Sequence, residues 1–200
     1  MERINAPGFS GEDEEGRFQV PRPRGTWDRG IEFNLLRKRL FRLYRKLRER
    51  ADSPKYRKRL ALCMVLILQL RNGCRVSEAV EGLKKMAQAG ERRAVVRVRK
   101  SKDDRLRIIV LPKFIGDHDL RTLRDEIAGI TEDQVKSFAR YNLGLNTHTL
   151  RYAFITHLAI EKGVQPNVIA KITGHKNLDH LITYTQKVKA EEILEREVDW

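Results

Sequence analysis

Residues 60–70 read Leu-Ala-Leu-Cys-Met-Val-Leu-Ile-Leu-Gln-Leu, an apolar run that only Gln69 interrupts. On a helix this run is apolar on most sides, so it predicts a helix buried at the centre of the domain. Ser53 and Pro54 stand where the N-cap and the first residue of that helix belong. Asn72-Gly73 is a typical C-terminal end. The run is too short to span a bilayer.

The segments on either side of this run predict mostly helices. From Glu32 to Arg50, apolar residues recur every three or four positions, which indicates an amphipathic helix. A face of one charge sign favours contact with phosphates. The basic face of this helix comprises Arg37, Lys38, Arg39, Arg42, Arg45, Lys46 and Arg48. Further helices are predicted at about 76–88, 119–128, 131–141, 146–162 and 166–174, from their periodicity and end signals.

One segment has the period of a β-hairpin instead. Residues 94–99 and 105–111 are rich in β-branched side chains, and a short polar tip at 100–104 separates them. In the first run Val96 and Val98 alternate with arginines, which predicts one apolar and one basic face. The chain as a whole therefore predicts a mainly α fold with a small antiparallel β-sheet (α+β).

The chain carries a large excess of basic residues. It has 41 Lys and Arg against 27 Asp and Glu, and its formal net charge is +14. A surface rich in both signs would explain many of these charges, but it would not explain the excess. The composition therefore favours a polyanionic partner such as nucleic acid.

The N-terminus and the cysteines indicate where the protein works. Residues 1–28 combine Gly, Pro and an acidic cluster, which is typical of a flexible arm. They contain no apolar signal-peptide core. Cys63 and Cys74 are the only cysteines, and buried reduced thiols are the usual state of such residues inside a cell. We expect a soluble, cytoplasmic, nucleoid-associated protein that has no contact with a membrane.

A spaced set of polar residues points to one chemistry. Arg75 directly follows the central helix, and Tyr184 comes nine residues after His175. His148 and Arg151 are three apart in the first turns of a predicted helix, so they share a face. Each residue alone has an ordinary interpretation as a helix cap, an ion pair or a half-buried ring. Together they describe a pocket that holds a phosphate and offers it a phenol nucleophile.

Three of these stretches resemble the motifs of the tyrosine recombinase (phage integrase) family. Residues 72–79, Asn-Gly-Cys-Arg-Val-Ser-Glu-Ala, are similar to its first arginine motif. Residues 147–158, Thr-His-Thr-Leu-Arg-Tyr-Ala-Phe-Ile-Thr-His-Leu, are similar to its His-x-x-Arg box. Residues 172–185, Ile-Thr-Gly-His-Lys-Asn-Leu-Asp-His-Leu-Ile-Thr-Tyr-Thr, are similar to its final motif. The resemblance extends from about Glu32 to the C-terminus and implies the fold of the family's catalytic domain.

The resemblance implies a role for each of these residues. Tyr184 would attack a DNA phosphodiester, form a 3′-phosphotyrosine and release a 5′-hydroxyl. Arg75 and Arg151 would bind the non-bridging oxygens, and His148 would act as general acid or base. His175 would donate a hydrogen bond to the phosphate. The resemblance implies no metal and no cofactor. It also implies that rejoining needs no ATP, because the phosphotyrosine conserves the energy of the phosphodiester.

The family also places a catalytic lysine in the hairpin, where it would protonate the leaving oxygen. The surrounding sequence favours Lys102, and Lys100 is the alternative. Glu78 resembles an acidic residue that supports the first arginine, although a plain helix ion pair explains it equally well. His157 and His180 have no counterpart in the motifs, and we interpret them as structural.

These features predict an arm at 1–28 and a catalytic domain at 29–200, without a complete core-binding domain. The expected function is site-specific recombination or integration of a mobile element. The expected partner is double-stranded DNA, on which the protein would associate with itself as a tetramer. Two alternatives remain at this point. The chain could be a DNA-binding protein that keeps the fold without the activity, or it could relax supercoiled DNA as type IB topoisomerases do.

Overall fold

The computed structural model of the protein describes residues 33–98 and 105–174. Within these ranges the regular structure consists of eight α-helices, one π-helical turn and two β-strands. In chain order the elements are α1 (Phe33–Arg48), α2 (Pro54–Asn72), α3 (Val76–Ala89), β1 (Arg93–Arg97), β2 (Leu106–Val110), α4 (Asp117–Thr122), α5 (Arg124–Ala128), α6 (Glu132–Leu143), α7 (Thr147–Thr156), the π-helical turn (His157–Glu161) and α8 (Pro166–Thr173). The predicted fold class, mainly α with a small antiparallel sheet, is confirmed.

Helix α2 is the centre of the domain, as its sequence predicts. Every side chain from Leu60 to Leu70 is buried, and α1, α3, α5, α6 and α7 pack around it. Pro54 begins the helix, and Gly73 ends it in the left-handed conformation, with φ 56°. Ser53 occupies the N-cap position, but its hydroxyl makes no capping hydrogen bond within the described residues.

Helix α1 packs on α2 through the predicted apolar stripe. Leu36, Leu40 and Tyr44 are buried along it. The predicted basic face is wrong in one residue, because Arg39 is buried rather than exposed. That burial, followed by the charge of Arg42, lowers the pKa of Arg39. The exposed remainder of the face still carries one sign of charge, because Arg37, Lys38, Arg42, Arg45, Lys46 and Arg48 are all exposed.

The two strands pair antiparallel, with Arg97 opposite Leu106 and Val96 opposite Arg107. Val96 is buried and Arg97 is exposed, so the predicted division into an apolar and a basic face is confirmed for β1. The first three residues of strand β2 depart from this division, which the sequence analysis did not anticipate. Its apolar residues Leu106 and Ile108 are 68% and 57% exposed. Arg107, which lies between them, is buried and only 7% exposed.

The side chain of Asn72 fastens β2 to the end of α2. Its Oδ1 accepts a hydrogen bond from the backbone N–H of Val110 at 3.0 Å. Its Nδ2 donates to the carbonyl of Val110 at 3.0 Å and to that of Leu68 at 2.8 Å. Asn72 therefore serves both as the last residue of a helix and as a hydrogen-bonding partner of a strand.

Two predicted helices differ from the observed ones. The helix expected at 119–128 is divided at Leu123, where the backbone leaves helical values at φ −99° and ψ 15° while the side chain stays in the core. The helix expected to reach Lys162 is α-helical only to Thr156 and continues as the π-helical turn. In that turn His157 stacks on Phe33, with ring centroids 4.2 Å apart. Periodicity does not report such packing.

Other local predictions are confirmed. Thr131 and Gln134 form a reciprocal capping box at the start of α6. Gly174 ends α8 with φ 70°, and both cysteines are buried thiols. None of the described helices is by itself long and apolar enough to cross a membrane; α2 and α3 meet that criterion only as a pair, bent by 113°.

Candidate functional site

Arg75 lies in the short connection between α2 and α3, at the N-cap position of α3. Its Nη1 donates to Oε1 of Glu78 at 3.1 Å, and its backbone N–H donates to Oε2 at 3.1 Å. Glu78 is fully buried. A buried carboxylate that holds both ends of Arg75 fixes the side chain more firmly than an exposed helix ion pair would.

Arg151 approaches the same connection from α7. Its side chain is buried at 3% exposure, and its Nη1 donates to the carbonyl of Gly73 at 2.9 Å. The left-handed φ of Gly73 suits glycine, and a β-carbon there would lie 2.2 Å from Cδ1 of Phe154. The backbone can thus approach α7 only because residue 73 has no side chain.

The guanidinium of Arg151 lies near two other arginines. Burial, and then the charge of Arg75, lower the pKa of Arg151 to about 10; Arg107 acts in the same direction and Glu78 opposes it. Arg151 therefore remains protonated at neutral pH, in a place where positive charge is unfavourable. A phosphate anion would relieve this excess of positive charge.

His148 lies in the first turn of α7, three residues before Arg151, and its side chain is exposed. The N-cap of that helix is Asn146, whose Oδ1 accepts a hydrogen bond from the backbone N–H of His148 at 3.1 Å. His148 is thus accessible from solvent on the turn that precedes the buried Arg151.

Lys100, Lys102, His175 and Tyr184 lie outside the described residues, as does the arm at 1–28. Two described residues, Val98 before the hairpin tip and Gly174 before His175, are close together. A β-carbon on Gly174 would be 2.9 Å from Cγ1 of Val98. The residue that follows α8 therefore contacts the residue that follows β1.

Arg107 is the residue of this cluster that sequence reasoning missed. Its Nη1 donates to the carbonyl of Thr173 at 3.1 Å and contacts Oε2 of Glu78 at 3.3 Å, and its Nη2 donates to the carbonyl of Asn72 at 2.5 Å. The pairing register of the hairpin would have identified Arg107 as an inward-pointing residue. A buried Val96 requires that the residue opposite it also points inward.

The described part of the site is a cationic cluster. It contains the guanidinium groups of Arg75, Arg107 and Arg151 and the single carboxylate of Glu78, which leaves two positive charges in excess. Planar guanidinium groups match the oxygen geometry of a phosphate. Within residues 33–98 and 105–174, no three His, Cys, Asp or Glu side chains converge as metal ligands would.

Comparison with known proteins assigns the arrangement to a family. The sequence model described as "Phage integrase family" matches residues 114–191, a stretch that includes His148, Arg151, His175 and Tyr184. The chain is 38% identical over 178 residues to the protein named "Putative integrase ORF241" of Acidianus two-tailed virus, with 88% of this chain and 70% of the viral protein aligned. The chain belongs to the phage integrase (tyrosine recombinase) family.

Two further proteins are similar to this integrase-family chain over most of its length. It is 37% identical over 203 residues to the uncharacterized protein MJ0770 of Methanocaldococcus jannaschii, with 88% of this chain and 90% of that protein aligned. Among solved structures, the XerH site-specific recombinase bound to difH substrate in a pre-cleavage complex is similar over 90% of the chain, with a TM-score of 0.49 and 15% identity. The chain spans 59% of the length of that XerH chain.

Proposed function

We propose that this integrase-family chain cuts and rejoins DNA strands as a site-specific recombinase, with Tyr184 as the nucleophile. The observation that carries the proposal is the convergence of Arg75 and Arg151. Arg75 directly precedes α3 and Arg151 lies in α7, and the buried carboxylate of Glu78, which pairs with Arg75, is within electrostatic reach of Arg151. Two arginines brought together with an excess of positive charge are suited to a single phosphate.

The proposed cleavage step balances without a cofactor. The phenolic oxygen of Tyr184 attacks the phosphorus, a 3′-phosphotyrosine forms, and the bond to the 5′-oxygen breaks. His148 takes the phenolic proton as general base. The hairpin lysine, Lys102 or alternatively Lys100, protonates the departing 5′-oxygen. Rejoining is the same sequence in reverse, so the free energy of the phosphodiester is conserved and no ATP is needed.

The arginine cluster would supply the electrostatic part of catalysis. Negative charge builds up on the non-bridging oxygens in the transition state, and donors already fixed in place stabilise it without reorganising. Arg75 is held by Glu78 and Arg151 by the carbonyl of Gly73, so both are fixed before substrate arrives. His175 would add a further hydrogen bond to the same phosphate.

The exposed face of α1 supports double-stranded DNA as the partner. Its exposed Lys and Arg side chains form one positive face along Phe33–Arg48, and the whole chain carries +14. Contacts of this kind bind backbone phosphates without reading sequence. The proposal includes self-association on the DNA, as a tetramer, action in the cytoplasm at the nucleoid, and the integration of a mobile element.

Covalent trapping tests the proposal. The protein is mixed with a library of nicked duplexes, denatured with detergent and analysed for protein–DNA adducts. We expect an adduct with the wild type and with Tyr152→Phe, which removes an exposed phenol of α7, but none with Tyr184→Phe. An adduct that persists in Tyr184→Phe would show that the nucleophile is wrong. Salt-sensitive DNA binding without any adduct would instead support a non-catalytic DNA-binding protein.

A further inference from the structure

Strand β2 buries its one charged residue, Arg107, although the apolar residues on either side of it are exposed. Leu106 and Ile108 are more than half exposed, whereas the side chain of Arg107 is 5% exposed. An arginine is tolerated in such a place only when hydrogen bonds and a counter-charge compensate for the lost water. An apolar residue at 107 with polar residues at 106 and 108 would satisfy the ordinary pattern of a strand. Departures of this kind concentrate at functional sites.

The partners of Arg107 come from three separate parts of the site. Asn72 O is at the end of α2, just before the connection that holds Arg75. Thr173 O is at the end of α8, two residues before His175. Glu78 Oε2 is on α3. The last carbonyls of a helix lack partners within the helix and carry partial negative charge, so a guanidinium is well suited to join two such ends.

Glu78 connects Arg107 to Arg75, because its carboxylate contacts both guanidinium groups. One carboxylate oxygen of Glu78 accepts from the guanidinium of Arg75, and the other contacts the guanidinium of Arg107. Because Glu78 is fully buried, its carboxylate has little freedom to take another orientation. A change at Arg107 would therefore be transmitted to Arg75, although the Arg107 side chain is too buried to reach a substrate itself.

We propose that Arg107 is a positioning residue for the strand-transfer reaction. It orients Arg75 through Glu78, and it holds the end of α8, from which the chain continues to His175, against the end of α2. This inference rests on the proposed function, because the positioned groups are those that would bind the scissile phosphate. A displacement of a reacting group by roughly 1 Å can lower the rate about 100-fold.

The test compares Arg107→Met with a matched control, Arg92→Met. Arg92 also donates to two backbone carbonyls, those of Pro112 and Ile115, and pairs with the carboxylate of Asp117. The two substitutions thus remove similar interactions from different places. In single-turnover adduct formation, we expect Arg107→Met to be slowed about 100-fold and Arg92→Met to remain close to wild type. Equal effects of the two substitutions would overturn the proposal.

A double-substitution experiment separates positioning from general stability. If Arg107 acts through Arg75, Arg107→Met should have little further effect on the rate in an Arg75→Ala background. A purely structural role predicts that the two losses multiply, and that outcome would also overturn the proposal. Arg107→Lys should restore part of the rate, because an ammonium group replaces some of the donors. If Arg107→Met does not fold, Arg107→Lys takes its place in the comparison.

Phosphate binding can be measured without any DNA cleavage. It therefore shows whether the positioning role of Arg107 or the proposed function has failed. Inorganic phosphate should raise the melting temperature of the wild type and of Arg92→Met, and less so that of Arg107→Met and Arg75→Ala. If the wild type forms no adduct but this pattern holds, the proposed function fails and the positioning of Arg75 stands. If phosphate raises the melting temperature of Arg107→Met as much as that of the wild type, the positioning role is excluded.

Discussion

Gly174 packs against Val98 so closely that a β-carbon on the glycine would lie 2.9 Å from Cγ1 of the valine. This contact joins the end of α8 to the end of the first hairpin arm. This glycine lies in the stretch that resembles the final motif of the integrase family, directly before His175, and the hairpin tip with Lys100 and Lys102 follows the valine. The contact therefore brings together the two described residues from which the chain continues to the hairpin lysines and to His175.

The first prediction concerns this contact. Gly174→Ala should lower the free energy of unfolding by roughly 2 to 3 kcal/mol, because a left-handed φ of 70° and the clash with Val98 add to each other. Gly90 ends α3 with the same φ of 70° and has open space around it. Gly90→Ala should therefore lose only about 1 kcal/mol. Urea denaturation measures both, and equal losses would contradict the packing argument.

The second prediction concerns Arg151 and pH. Its pKa is lowered to about 10, so between about pH 10 and 12.5 the unfolded chain binds more protons than the folded one. The contribution of this group to stability therefore rises with pH in that window and is constant below it. Relative to Arg151→Met, the wild type should gain on the order of 1 kcal/mol between pH 9 and pH 11.

The control for this titration is Arg71→Met, which changes an exposed arginine in the last turn of α2. Its stability difference from the wild type should be the same at both pH values. A similar drift in Arg71→Met would mean that the effect does not come from the buried position of Arg151. Chemical denaturation at the two pH values supplies all the required free energies.

The third prediction concerns the basic face of α1. Lys38→Ala and Arg42→Ala should each weaken DNA binding and reduce the slope of log affinity against log salt by about 0.9 for each phosphate contact that is lost. Lys136→Ala is a suitable control, because Lys136 lies outside α1 and is paired with Asp133 at 2.9 Å. This substitution should leave the slope unchanged. Titrations by fluorescence anisotropy at several salt concentrations measure the slopes. An unchanged slope in both α1 variants would remove this face from the DNA-binding surface.

The fourth prediction concerns the two thiols. Burial raises the pKa of Cys74 to about 12 and that of Cys63 further still. Because the thiolate is the reactive form, neither should react with Ellman's reagent at pH 8 until the protein unfolds. DNA cleavage should likewise be unaffected by thiol reagents. Rapid labelling of either cysteine in the folded protein would contradict the packing around α2.

Sequence reasoning succeeded here where the signal is local. The apolar run of α2, the Thr131–Gln134 capping box and the glycine at the end of α8 each specify their structure within a few residues. It failed where distant residues decide. At the break between α4 and α5 the side chain of Leu123 is buried in the core, and in the π-helical turn His157 stacks on Phe33 of another helix.

The same distinction applies to the site. The motifs identified Arg75, His148 and Arg151 as candidates, because their spacing is recorded in the sequence itself. Arg107 was not identified, since its partners Asn72 and Thr173 are 35 and 66 residues away along the chain. An arginine in a β-branched run gives no indication of whether it points inward until the strand register is known.

The bond pattern of Asn72 has a consequence for how the protein folds. A two-stranded hairpin has little stability of its own in water, and the register of this one is pinned at Val110 by a residue that belongs to α2. We therefore expect the hairpin to reach its final alignment only when the last turn of α2 has formed. Hydrogen exchange should show this as a single cooperative unit, in which the amides of β2 open only when the end of the central helix opens with them.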